Sequence, residues 1–179
     1  LAQTAACGQH TSIAWSGDMV VVPCGNVYTK GKEFNRAFRL AANADGTVMA
    51  TKMWEVPELG GNTPPTVMAD GRFYILWSKG LLSCAVTDGS DSVTVPATDV
   101  GIGCHAPLPG LSLVGGRTIT AIGPCHKGTA STMRIYSVTG SALTETASGM
   151  VPDRVWAAPF FTPNRMYLRG EKTLWVIGR

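Results

Sequence analysis

Apolar residues along this chain gather in short runs broken by glycine, asparagine or aspartate, and four of the runs share one form. A short apolar stretch leads into a small turn and then into a second stretch rich in β-branched and aromatic residues, at 11–22, 66–77, 111–120 and 159–168. Runs of this length, bounded by turn residues, predict β-hairpins rather than helices. The turns fall at Gly17, Gly71, Gly116 and Asn164. Gly and Asn tolerate the positive φ of tight hairpin turns, so their recurrence has a steric cause. The residue after each turn, Asp18, Arg72, Arg117 or Arg165, is polar and is expected at a solvent-facing corner.

The four turns stand 54, 45 and 48 residues apart, near the roughly 40–50 residues of a four-stranded propeller blade. A second series keeps step with the first. Each unit runs on through a third stretch to Asp45-Gly46, Asp88-Gly89 or Thr139-Gly140, and Asp-Gly between strands is a strong hairpin signal. Fourth strands are expected at 47–54, 92–98 and 142–147. Helical pattern is nearly absent. Residues 32–40 are helix-compatible, but their aromatic and Arg content fits a loop entering a strand equally well. Ordinary domains average about a third helix, so an all-β fold is predicted. A β-sandwich would have no reason to repeat its turns at this period.

The expected fold is a single partial β-propeller over 1–179, with four-stranded antiparallel blades at roughly 11–54, 65–98, 107–147 and 157–179. Gly178 is expected where Gly46, Gly89 and Gly140 stand in their units, which leaves the last blade without its outer strand. A sheet without its outer strand has an unpaired edge. Residues 1–6 are Ala-rich, with Thr4 alone β-branched, and make a poor filler. The missing strand is therefore expected from upstream sequence, a partner chain or a second copy.

Three segments carry a family likeness: Pro65-Thr-Val-Met-Ala-Asp-Gly-Arg-Phe-Tyr74, the third stretch from Phe38 to Gly46, and the ending from Arg165 to Gly178. Through them the chain resembles the quinoprotein-like (PQQ-like) β-propeller repeat family, in four degenerate copies over most of its length. The resemblance implies a whole propeller of seven or eight blades, of which this chain is a C-terminal half. It also implies one of several roles, because the family includes quinone-dependent alcohol dehydrogenases, outer-membrane assembly scaffolds and secreted bacterial proteins. The dehydrogenases carry adjacent cysteines over the cofactor and a tryptophan-docking motif in each blade. No two cysteines are adjacent here, and Trp54 after the Asp45-Gly46 turn is the one trace of the docking pattern. The resemblance thus implies a scaffold without cofactor before an oxidoreductase using PQQ and calcium.

Composition narrows the classes further. Apolar residues make up 45% of the chain and charged ones 15%, enough for a core and unlike a disordered segment. The net charge is +3, and the densest basic group, Lys30, Lys32, Arg36 and Arg39, is diluted by Glu33. Nucleic-acid binding calls for a basic stripe with interleaved aromatics, so this group reads as a solvated loop and no nucleic-acid partner is expected. No apolar run approaches the ~20 residues of a transmembrane helix. The N-terminus lacks the basic region and apolar stretch of a signal peptide, which leaves a removed leader and a piece of a longer chain both open.

Five cysteines and three histidines are the remaining chemistry. Units one and three share a pattern, Cys7…His10…Cys24 and Cys104-His105…Cys125-His126, with one Cys before the first strand and one ending the second. Adjacent antiparallel strands bring such positions close, and a disulfide needs its Cα atoms within ~7 Å of each other. Pairs Cys7–Cys24 and Cys104–Cys125 are expected, with Cys84 buried in a third strand, and they imply an oxidising, secreted or periplasmic compartment. Free thiols throughout are the alternative, since the count is odd. The spacing is not that of a zinc site, and no metal is expected.

His10 and His105 precede first, innermost strands, where propeller residues rim the central channel, and Asp153, Arg154 and Trp156 hold the comparable place in unit four. These five are the candidate ligand-binding rim. Histidines hydrogen-bonded within interblade loops are the alternative. Other motifs fail: the glycines at Gly101 and Gly103 run into Pro107 and Pro109 with no helix to hold phosphate. Trp77 and Trp175 read as packing between blades. The expected function is a non-catalytic binding or assembly scaffold, joined to the remainder of a propeller, another chain or a second copy.

Overall fold

The computed structural model describes residues 13–24, 34–57, 65–77, 80–96, 110–124 and 128–178. Every regular element among them is a β-strand. Sheet one runs in the order β1 (Ala14–Ser16), β2 (Met19–Cys24), β3 (Phe34–Ala42), β4 (Val48–Pro57). Sheet two is β5 (Thr66–Ala69), β6 (Arg72–Trp77), β7 (Gly80–Ala85), β8 (Val93–Pro96), and sheet three is β9 (Gly110–Val114), β10 (Thr118–Pro124), β11 (Ser131–Thr139), β12 (Ala142–Val151). Sheet four has three strands, β13 (Phe160–Thr162), β14 (Arg165–Arg169) and β15 (Leu174–Gly178). All pairs are antiparallel between chain neighbours. The helix-compatible stretch resolves as strand from Phe34 onward.

The hairpins explain the turn residues. Gly17, Gly71 and Gly116 have φ of 59°, 70° and 75°, and Gly46, Gly89 and Gly140 follow suit at 82°, 73° and 57°. Side chains other than Asn or Asp adopt that region at a cost. Asn164 does not join them, because no positive φ occurs there. Pro163 before it fixes its own φ near −65°, so the fourth hairpin turns with the ordinary hand. Gly178 is likewise not a turn residue. It lies in β15 opposite Arg165, the position held by Arg39, Ala85 and Ser137 in the other sheets. Its glycine answers a close approach, since a Cβ there would press on the Asn164 carbonyl.

The sheets stack face to face around an axis, as propeller blades do. β1 packs beside β5 and β5 beside β9, so the first strands are innermost. Three apolar cores lie between successive sheets. Met19, Val21, Ala37 and Trp54 of sheet one meet Phe73, Ile75, Leu82 and Cys84 of sheet two. On the other face of sheet two, Tyr74, Leu76 and Leu81 meet Leu111, Ile119, Ala121, Tyr136 and Val138 of sheet three. The third core joins Ile122 and Val151 to Val155, Met166 and Leu168, with Trp175 packed against it. β6 therefore sends alternate side chains into two different cores, which is why its run Phe73-Tyr74-Ile75-Leu76 is apolar throughout.

Trp54 shows how one seam is built. Its ring stacks on Phe73 at 5.5 Å between centroids, and its Nε1 donates to the Val86 carbonyl at 2.7 Å. Gly89 lies beneath it, where an added Cβ would stand 2.6 Å from Val56 Cγ2 and 3.2 Å from Trp54 Cε3. The Asp88-Gly89 pair thus makes a turn and clears room for the neighbouring sheet's tryptophan. The side chain of Trp77 lies outside the described residues.

Arg72 corrects an expectation. Rather than a solvent-facing corner, it holds a buried site at 6% exposure, with Nε donating to Ser83 Oγ at 2.7 Å and Nη1 to Asp91 Oδ2 at 2.7 Å. The next sheet covers the face on which Arg72 stands, so its charge is met within its own sheet. Arg117, by contrast, is exposed, as the sequence pattern requires.

Candidate functional site

The described part of the candidate site is the connection from β12 to β13, where Asp153, Arg154 and Trp156 lie. Val151 ends the outer strand of sheet three and is buried in the third core, and the chain then crosses inward toward β13. Val155, fully buried, bridges Gly170 and its amide donates to Ser131 Oγ at 2.8 Å. That apolar anchor and its bridge fix the polar residues on either side.

Asp153 faces the short turn between β14 and β15. Its Oδ2 accepts from the amides of Lys172 at 3.1 Å and Thr173 at 3.0 Å, and its Oδ1 from the Arg154 amide at 2.8 Å. Gly170 is required there, because an added Cβ would come 2.6 Å from Asp153 Cγ. Burial by itself would raise the Asp153 pKa, but the amides of Lys172, Arg154 and Thr173 outweigh it and hold the carboxyl below its ordinary value. A carboxylate so depressed and so fully engaged is charged at neutral pH and carries no proton to transfer.

Arg154 and Trp156 extend the network outward. Arg154 Nε donates to the Gly128 carbonyl at 2.7 Å, tying the connection to the approach to β11, and its guanidinium sits 6.0 Å from the Trp156 ring centroid. Trp156 Nε1 donates to Glu171 Oε1 at 2.8 Å, while the Glu171 amide donates back to the Arg154 carbonyl at 2.9 Å. At the inner end, Ser112 Oγ donates to the Pro159 carbonyl at 2.6 Å. The three predicted residues do come together, and what they join is sheet three to sheet four. Glu171, Gly128 and Ser131 complete the network and escaped sequence reasoning. They lie 15 to 26 residues from their partners, and no local pattern marks such contacts.

His10, His105, Cys7, Cys104 and Cys125 lie outside the described residues, as does the side chain of Cys24. Cys84 is buried in the first core as a free thiol, and burial pushes its pKa up to about 11. Among the described residues no group of three or more His, Cys, Asp or Glu is gathered to hold a metal ion.

The far face of sheet four is a second candidate surface. Phe160, Tyr167 and Val176 form one row across the sheet, and Arg169 pairs with Leu174 beside it. Phe160 is 66% exposed, Leu174 61% and Val176 52%. The signal was present in the run Leu174-Trp175-Val176-Ile177, which is apolar at consecutive positions, as a strand covered on both faces would be.

Comparison with known proteins supports the architecture. No family model matches the chain, and no curated protein matches it. Among solved structures it is similar to BamB from Moraxella catarrhalis, a β-propeller, at 10% identity and a TM-score of 0.58. The match covers 94% of this chain and 49% of that one, so the chain spans about half the length of the structure it matches. No helix among the described residues is long and apolar enough to cross a membrane.

Proposed function

We propose that this chain is a non-catalytic propeller module that serves as a binding and assembly scaffold within a larger ring, in a secreted or periplasmic setting. The observation that carries the reading is the far face of sheet four. Its row Phe160, Tyr167 and Val176 is apolar in the register that sheet two buries beneath sheet three. Exposed apolar patches of this kind mark interaction surfaces. The charged groups of the β12–β13 connection point the same way, because they are spent on holding two sheets together. The likeness to BamB is consistent with an assembly role and is a likeness of fold.

The alternative is a portion of a quinone-dependent oxidoreductase. Its residues do not fit: no cysteines are adjacent in the sequence, and Trp54, the trace of a docking motif, is packed between sheets one and two. The two readings separate in one assay. The chain is incubated with PQQ and calcium, quinone binding is followed by absorbance, and dye-linked oxidation of primary alcohols is measured. The scaffold reading expects neither saturable binding nor turnover, and alcohol-dependent dye reduction overturns it.

A further inference from the structure

We infer that Met49, Met53 and Met150 form a surface site for reversible sulfoxidation, which takes an oxygen atom from a peroxide while the fold stays intact. The chain has seven methionines, and the fold divides them. Met19 and Met68 pack in the core between sheets one and two, and Met133 and Met166 in the core that sheet three makes with sheet four. The other three all fall on the two ten-residue outer strands, Met49 and Met53 on β4 and Met150 on β12. Met150 is 71% exposed, Met49 52% and Met53 38%, against 9% for Met19 and Met166.

Local structure keeps these three side chains open. β4 and β12 are edge strands of their sheets, and small residues stand around the methionines. Met49 lies opposite Ala41 and Met150 opposite Thr132. Gly149, next to Met150, has open space where a Cβ would stand. Met53 is the extra residue of a bulge. Lys52 lies opposite Phe38 and Trp54 opposite Ala37, which leaves Met53 without a cross-strand partner. Strands ordinarily favour β-branched and aromatic residues, and an unbranched thioether held in water gains little by burial. What it brings to these positions is reactivity.

The step needs no other group of the protein. A sulfur lone pair attacks one peroxide oxygen and the O–O bond breaks. The second oxygen leaves with the proton that the first one sheds, as water from hydrogen peroxide or as an alcohol from an alkyl hydroperoxide. Sulfur is oxidised to the sulfoxide and the peroxide is reduced. The product side chain is polar and chiral. At Met19 or Met166 it would put that polarity into an apolar core, which is costly. At Met49, Met53 and Met150 it stays hydrated. The folded protein therefore keeps its cores and remains a substrate for methionine sulfoxide reductases, which restore the thioether.

Oxidation of the folded 179-residue chain by hydrogen peroxide tests this, with accessible thiols first blocked by iodoacetamide. Peptide mapping by mass spectrometry follows each methionine over time. Met150 and Met49 should gain oxygen roughly tenfold faster than Met19 and Met166, with Met53 between. Once the three are sulfoxides, far-ultraviolet circular dichroism and the urea midpoint should match those of untreated protein. A pair of methionine sulfoxide reductases, one for each epimer, should then return all three to methionine with a thiol reductant. Combining Met49→Leu, Met53→Leu and Met150→Leu, exposed changes of similar volume, should abolish the early phase of oxygen uptake, and Met150→Leu alone should remove its share. A core methionine that oxidises as fast as Met150 overturns the inference. So does a lost dichroism signal or a lowered midpoint once the three are oxidised, and so do sulfoxides that the reductases leave in place.

Discussion

Arg72 and Asp153 are the charged side chains that the fold buries among the described residues, and each has a fixed partner 19 residues away in sequence. Arg72→Ala would leave Ser83 without its donor and open a void under sheet three. Asp91, 61% exposed at its side chain, would rehydrate, which limits the loss to about 2 kcal/mol by urea unfolding. For Asp153 the sign of the pH dependence follows from its depressed pKa. The unfolded chain binds the proton at higher pH than the folded one, so the stabilisation is complete above ~pH 4. It is lost as pH falls through the folded value. Urea midpoints of wild type and Asp153→Asn should therefore differ most near neutrality and converge in acid. A difference that stays constant down to ~pH 3 would contradict the role given to the carboxylate. Cys84, held as a thiol by burial, should resist alkylation at ~pH 8 in the folded protein. In denatured but unreduced chain, peptide mapping should find Cys84 alone labelled if Cys7–Cys24 and Cys104–Cys125 are paired, and all five cysteines labelled if neither is.

At the scale of strands and hairpins, much was legible because turns are local. Gly17, Gly71 and Gly116 had to be glycine for reasons contained within a few residues. Two misreadings have one origin: a residue type with more than one use. Gly178 was expected as a turn and is a point of close approach to Asn164, and Asn164 sits in its turn without adopting positive φ. Arg72 looked like a surface corner because nothing near it in sequence reveals that sheet three will cover it. Asp153, Arg154 and Trp156 were singled out as part of a ligand-binding rim, whereas their partners Glu171 and Gly128 come from other hairpins, so their role in joining two sheets was not readable beforehand. Gly89 tests the seam between sheets one and two. Gly89→Ala adds a Cβ that collides with Val56 and Trp54 and requires positive φ of a residue that avoids it. It should cost roughly 2–3 kcal/mol and shift Trp54 emission toward the red. An unchanged spectrum and midpoint would mean that Trp54 does not dock there.

For the whole molecule, the repeated seam makes stability a sum of sheet contributions and nearest-neighbour contacts. Among the described residues the two sheets at the ends of the stack each pack on one other sheet, while sheets two and three each pack on two. Amide hydrogen exchange should therefore be slowest in β6 and β10 and faster in β14, and equal protection in all three strands would contradict a nearest-neighbour sum.

The two-sided apolarity of β6 has a consequence for how the protein is made. While the chain leaves the ribosome, sheet two can shelter Phe73 and Ile75 against sheet one at once, but Tyr74, Leu76 and Leu81 must wait until β9 to β11 have been synthesised. Throughout that interval the nascent chain shows a broad greasy surface, which is the kind of exposure that draws chaperones and promotes misassembly. Translation stalled just after β8 should yield a product far more prone to aggregate than one stalled after β12, even though the shorter product already contains two whole hairpin pairs.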